Sequence, residues 1–248
     1  KFEVGWAAEG YYRIGDYQKV GEIAALFNET SAYGPIARIH VRALVRMDSL
    51  ELLDQYVERY KQGGLNQEQV ANLLSEVAFE SKLTGKKDLQ FQYAQKLKRH
   101  YEKWSNAPDW WKFQVNYLLN EYERAHSRGG NKVLDILPDK VVVVLGNLGA
   151  VAALAGDTTQ AQQFLTEIQK RATTYFTNGY RDHRKFGSPA YAEAKILASL
   201  GQKEAAVQAL IKAFKQEYTT FSAYSFRFDP WLLPLHGYPP FEELVKPK

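Results

Sequence analysis

Residues Gly149-Ala150-Val151-Ala152-Ala153-Leu154-Ala155-Gly156-Asp157-Thr158-Thr159-Gln160-Ala161-Gln162-Gln163-Phe164-Leu165 decide the fold. An alanine-rich apolar run stops at Gly156, an aspartate follows, and a second run begins in which Ala161, Leu165 and Ile168 share one helical face. Glycine enters the left-handed region without a side-chain clash and so ends a helix, while aspartate accepts from the free N–H groups that open the next. The stretch predicts a helical hairpin whose small residues, Gly149 and Ala161, let the two helices cross closely.

The same spacing recurs around Gly15 of Ile14-Gly15-Asp16 and Gly201 of Leu200-Gly201-Gln202. Seven residues before the three glycines stand Ala8, Gly149 and Ala194, and five after them Val20, Ala161 and Ala206. Nine and twelve after them stand Ala24 and Phe27, Leu165 and Ile168, Leu210 and Ala213. Gly85 is a weaker copy, with Ala78, Ala94 and Leu97 in register but Gln90 and Ser81 at positions that are otherwise small and large. The intervals 85 − 15 = 70 and 156 − 85 = 71 are each about twice a unit of ~34 residues, so one degenerate unit is expected in each gap. Ile36 to Met47 and Leu50 to Tyr60, turning at Asp48-Ser49, fill the first. The second is read as one helix from Trp110 to His126, a break at Ser127 to Asn131, and a short helix through Leu137. The longer interval 201 − 156 = 45 leaves room for a helix from Thr158 to about Phe176 and a polar connection, Thr177 to Gly187.

Composition agrees with this organisation. The chain has 248 residues, 45% hydrophobic and 24% charged, and only 17 glycines and 9 prolines, too few turn residues for an all-β chain. Its net charge of +4 does not demand an anionic polymer as partner. Without cysteine it has neither disulfides nor thiolate metal sites, which fits a cytoplasmic protein or a periplasmic domain. The longest uncharged apolar stretch, Val141 to Gly156, is too short and glycine-broken to span a bilayer, so no membrane insertion is expected.

Helix pairs of ~34 residues, small residues at the contact positions and Gly-Asp or Gly-Gln turns resemble the tetratricopeptide repeat family. The resemblance is closest over Trp6 to Phe27, Leu145 to Ile168 and Ala190 to Ala213; the family's frequent proline at the unit end is missing from most copies. It implies an all-α, right-handed superhelix of about six hairpins over residues 1–248. It also implies a non-catalytic module that binds a protein or peptide partner in a groove lined by first helices. The tail is different: Asp229-Pro230-Trp231-Leu232-Leu233-Pro234-Leu235, then Pro239-Pro240-Phe241-Glu242-Glu243-Leu244. Four prolines in eleven residues forbid a long helix, and the segment reads as an extended cap in which Trp231, Leu233, Leu235 and Phe241 cover the last hairpin. It is similar to the end of the repeat segments attached to bacterial serine/threonine kinases, cyclases and transcriptional regulators. That likeness implies the C-terminal part of a longer signalling protein and, as an alternative function, an intramolecular regulatory role.

Chemistry-bearing motifs are sparse. Val141 to Val144 leading into Gly146 and Gly149 has the look of a dinucleotide-binding strand, but the glycines follow G-x-x-G spacing and the downstream segment is helical to Gln169. No cofactor is expected, and a helix starting at Pro138-Asp139 is. None of His40, His100, His126, His183 and His236 pairs at helical metal-site spacing. Asp182-His183 lies in a charged connection with no nucleophile marked for it, so no enzyme is expected. Arg38, Arg42 and Arg46 recur every fourth residue and form a ridge that either grips the carboxylates of an extended peptide or is an outer face kept in solvent. Asn147, Tyr191 and Lys195 on later first helices are further peptide-binding candidates. Lys86, Lys87, Lys96, Lys98, Arg99 and Lys103 interleave with Tyr93, Tyr101 and Trp104, a pattern that also suits nucleic acid but is more simply a solvated helix face with its rings turned inward. One of Trp110 and Trp111 must point away from the core and is a contact candidate.

Overall fold

The computed structural model describes residues 2–26, 34–129, 141–177, 189–217 and 223–246. Phe27, Leu137, Pro138-Asp139 and Asp182-His183 lie outside them, as does the side chain of Trp110. Every regular element among the described residues is helical: α1 Phe2–Ile14, α2 Tyr17–Ala25, α3 Gly34–Arg46, α4 Leu50–Gln62, α5 Gln67–Leu83, α6 Lys87–Glu102, α7 Asp109–Leu118, α8 Tyr122–Gly129, α9 Val141–Leu154, α10 Thr158–Thr177, α11 Pro189–Ser199 and α12 Lys203–Glu217. Two 3-10 helices, Ala223–Phe228 and Pro230–Leu235, and α13 Pro239–Leu244 follow. None of these helices is long and apolar enough to cross a membrane.

The turns behave as one structural device. Gly15, Gly85, Gly156 and Gly201 take φ values of 84°, 73°, 86° and 76°, and Asp48 takes the same left-handed role at 55°. In all five copies the next residue's N–H reaches back to a carbonyl in the last turn of the preceding helix: Asp16 to Tyr11, Ser49 to Leu44, Lys86 to Ser81, Asp157 to Ala152 and Gln202 to Leu197, at 2.8–3.1 Å. Asp16 and Asp157 then cap the second helix, accepting from the N–H of Lys19 at 3.1 Å and of Gln160 at 2.9 Å.

The chain divides into two compact units, Lys1–Leu119 and Asn120–Lys248. In the first, α1, α3, α5 and α7 pack in sequence as neighbouring first helices, and each second helix also touches the next first helix. In the second, α9 packs on α8, α10 and α11, and α11 on α12. The small contact residues Ala8, Val20, Ala78, Ala161, Ala194 and Ala206 are fully buried. The first helices α9 and α11 approach each other closely. A Cβ on Gly146 would stand 2.8 Å from Ala192 Cα, and one on Gly149 would run into the Ile196 side chain and sit 3.0 Å from Phe164 Cβ.

Two expectations are corrected and one departure from the pattern finds its place. The helix read as Trp110 to His126 stops at Leu118, and Asn120 (φ 59°) turns the chain into α8; asparagine tolerates the left-handed region that the reading had reserved for glycine. Gln90, out of pattern, is buried, and its amide donates to the Leu118 carbonyl at 2.5 Å, tying α6 to the end of α7. The cap is not extended: Trp231, Leu232 and Leu235 are buried and Leu233 is half-buried, because a 3-10 helix aligns residues three apart.

His40 of α3 is buried against Tyr56 and Tyr60 of α4, its Nδ1 2.9 Å from the Tyr60 hydroxyl. Burial lowers its pKa to about 4 from 6.5. The neutral ring therefore contributes stability that is full above pH 6.5 and is lost as pH falls towards 4, on the order of 3 kcal/mol in total. Urea unfolding across pH 7 to 5 should show this decline, and it should flatten in His40→Gln. Gly146→Ala should cost about 2–3 kcal/mol despite alanine's better helix propensity, since the backbone at Ala192 has to retreat. A melting temperature equal to that of the parent would refute this packing.

Candidate functional site

Counting back from each left-handed turn residue places the first helices in one register. On α3, Arg46, Arg42 and Arg38 stand two, six and ten residues before Asp48; on α5, Glu80 and Glu76 stand five and nine before Gly85. Because α3 and α5 are neighbours, the two rows meet. Arg38 Nε donates to Glu76 Oε1 at 2.8 Å, and its Nη2 bonds the same oxygen. Arg42 Nε donates to Glu80 Oε2 at 3.1 Å and lies 3.8 Å from Glu76 Oε2, and Arg46 Nε donates to Glu80 Oε1. Towards α1, Arg42 stands 3.9 Å from Glu9 and 4.2 Å over the Tyr12 ring, and Arg13 donates to Glu9 at 2.9 Å.

The electrostatics follow from burial. Glu80 is 1% exposed and is held between two guanidinium groups. Burial opposes the charge on Arg42, but the carboxylates of Glu76, Glu80 and Glu9 favour it, and its pKa stands above the ordinary value. Burial likewise raises the Tyr12 phenol, which stays neutral.

The second unit repeats this arrangement with other residues. Lys195 and Tyr191 stand six and ten residues before Gly201, the positions of Arg42 and Arg38 relative to Asp48. Lys195 Nζ lies 3.2 Å from Asp229 Oδ2 and donates to Asn147 Oδ1 of α9 at 3.2 Å. The Tyr191 hydroxyl donates to Asp229 Oδ2, and its ring stacks on Phe226 at 5.3 Å. Asp229 Oδ1 accepts from the Trp231 N–H at 2.8 Å, so one carboxylate both caps a 3-10 helix and pins it to α11. In both units the cation six before the turn reaches back to the preceding first helix, at Glu9 or Asn147, and forward to the next layer, at Glu80 or Asp229.

The candidate residues therefore form two clusters, one per unit. The arginines are neither an empty claw nor a freely solvated face: all three are bonded to glutamates of α5, and only Arg38, at 47% side-chain exposure, is largely open to solvent. Asn147 and Lys195 are buried. Of the basic-aromatic set, Tyr93 is buried with its hydroxyl donating to Asp54 at 2.6 Å, Lys96 pairs with the same carboxylate, and Lys86 bonds the Val45 carbonyl and Asp48. Trp111 is buried. No group of three His, Asp or Glu that could hold a metal occurs among the described residues.

The carboxylates Glu9, Glu76, Glu80 and Asp229 escaped the sequence reading. A signal existed for Glu80: five residues before the turn, α3, α9 and α11 carry Ala43, Val151 and Ile196, all apolar and buried. Glu80→Ala leaves two guanidinium groups without their shared anion and should cost about 3–5 kcal/mol. A double-mutant cycle with Arg42→Ala, read by urea unfolding, should give a coupling above about 1 kcal/mol; additive losses would refute the network.

No family model, curated protein or solved structure matches the chain.

Proposed function

We propose that the chain is a non-catalytic, tetratricopeptide-like right-handed helical repeat whose first helices receive an extended acidic segment of a partner protein. The observation that carries this reading is Arg38. Its guanidinium is oriented by Glu76 through Nε and Nη2, while nearly half of the side chain faces solvent. An arginine already held in place loses little rotamer freedom when a second carboxylate arrives, and a planar fork takes such a group in two parallel bonds. Arg42 and Arg46, more deeply set, act behind it by balancing Glu76 and Glu80. Helices α1, α3 and α5, packed as neighbours, offer a surface ordered before binding, so the entropic cost falls mainly on the peptide.

The two roles of the ridge separate by mutation. Arg38→Ala should change folding stability by less than about 0.5 kcal/mol, as for an exposed pair, yet weaken binding of an acidic peptide roughly 5–10-fold. Fluorescence anisotropy with a panel of labelled Asp/Glu-rich peptides, each titrated against parent and variant, measures this. The reading is abandoned if no peptide binds at 100 μM protein, or if the variant binds as tightly as the parent.

A further inference from the structure

The ion pairs across α1, α3 and α5 do not balance. Four guanidinium groups, those of Arg13, Arg38, Arg42 and Arg46, meet three carboxylates, those of Glu9, Glu76 and Glu80. Tyr12 stays neutral among them, because burial raises its phenol. Lys82, further along α5, holds its amine 4.8 Å from the Tyr117 ring and so is directed to α7 rather than α3. Among the described residues the cluster therefore carries one positive charge in excess. That charge has one outlet. Arg42 and Arg46 share Glu80, and their side chains are 15% and 24% exposed. Arg38, at 47%, commits Nε and one Nη2 hydrogen to a single oxygen of Glu76. A guanidinium has five N–H donors in one plane, so Nη1 and the second Nη2 hydrogen remain at the far edge of Arg38 with no protein acceptor among the described residues.

We propose that this edge of Arg38 takes one singly charged carboxylate, so that the bound segment is read through a lone aspartate or glutamate and not through a phosphorylated residue; this rests on the reading of α1, α3 and α5 as the seat of an acidic segment. Two hydrogens pointing the same way suit the two oxygens of a carboxylate, which accept them in parallel bonds. Charge sets the selectivity. Attraction to the cluster grows in proportion to the ligand's charge, whereas the cost of taking that charge out of water grows with its square. One surplus cation is therefore best matched by a monoanion. A phosphate monoester carries close to two negative charges, and the second finds Arg42 and Arg46 already engaged with Glu80.

Labelled peptides that differ only in a central glutamate, phosphoserine or glutamine, set in an uncharged alanine-serine host, test this by fluorescence anisotropy on the full chain. The glutamate and phosphoserine peptides should bind within about two-fold of each other, and the glutamine peptide at least about five-fold more weakly. A second glutamate should add no more than the roughly two-fold that a second binding register gives. Glu76→Gln keeps an acceptor for Arg38 and raises the surplus to two charges, so the phosphoserine peptide should then bind about five-fold more tightly than the glutamate peptide, with unchanged circular dichroism. If the variant does not fold, the comparisons on the parent decide alone. A phosphoserine peptide that binds the parent five-fold or more tightly than the glutamate peptide overturns the proposal and leaves the acidic-segment reading in place. So does a second glutamate worth ten-fold, an unchanged preference in folded Glu76→Gln, or binding of Asp/Glu-rich peptides without measurable binding of the single-glutamate one. If the Asp/Glu-rich peptides do not bind either, that reading fails and this proposal with it.

Discussion

A left-handed residue at the turn within each described hairpin sets the phase of what lies on either side of it. The turn holds the end of one helix through a bond from the residue after it, and the next helix starts at a fixed offset. Once that offset is constant, positions counted from the turn fall on the same faces in successive hairpins. Ala8, Ala78 and Ala194 of the first helices and Val20, Ala161 and Ala206 of the second helices are accordingly all fully buried. The geometry requires the backbone conformation rather than glycine itself, so Asp48 and Asn120 serve where their side chains tolerate it.

The charged rows are a consequence of that phase. A buried ion pair is a weak source of net stability, because desolvation offsets most of the attraction, but a broken one is costly. Such a row therefore acts mainly as a register key. Glu80 accepts both Arg42 and Arg46 only when α5 lies at one axial setting against α3. Asp229 makes the equivalent demand on the cap, since its two oxygens serve Trp231 on one side and Lys195 and Tyr191 on the other. The proline-rich tail is thus placed as though it were one more layer, bonded to α11 through the positions that α3 uses towards α5. Function and packing share these residues unequally: Arg42 is committed to the interior, whereas Arg38 is held but accessible.

The amino-acid order by itself determined the helical class, the hairpins around Gly15, Gly85, Gly156 and Gly201, the turn at Asp48, and the small residues at their crossings. These are short-range properties: a left-handed turn, a capping side chain and a 3.6-residue apolar period are written within about twenty residues of one another. It also singled out Arg38, Arg42 and Arg46 as one ridge, since four-residue spacing on a helix suffices for that. Only the tertiary structure decided what the ridge faces. Glu76 and Glu80 lie 38 and 34 residues from Arg38 and Arg46, and Asp229 lies 34 from Lys195. No local pattern links residues so far apart, because their meeting depends on how one hairpin is laid on the next. The same holds for the 3-10 form of the cap, which buries Leu232 and Leu235 together.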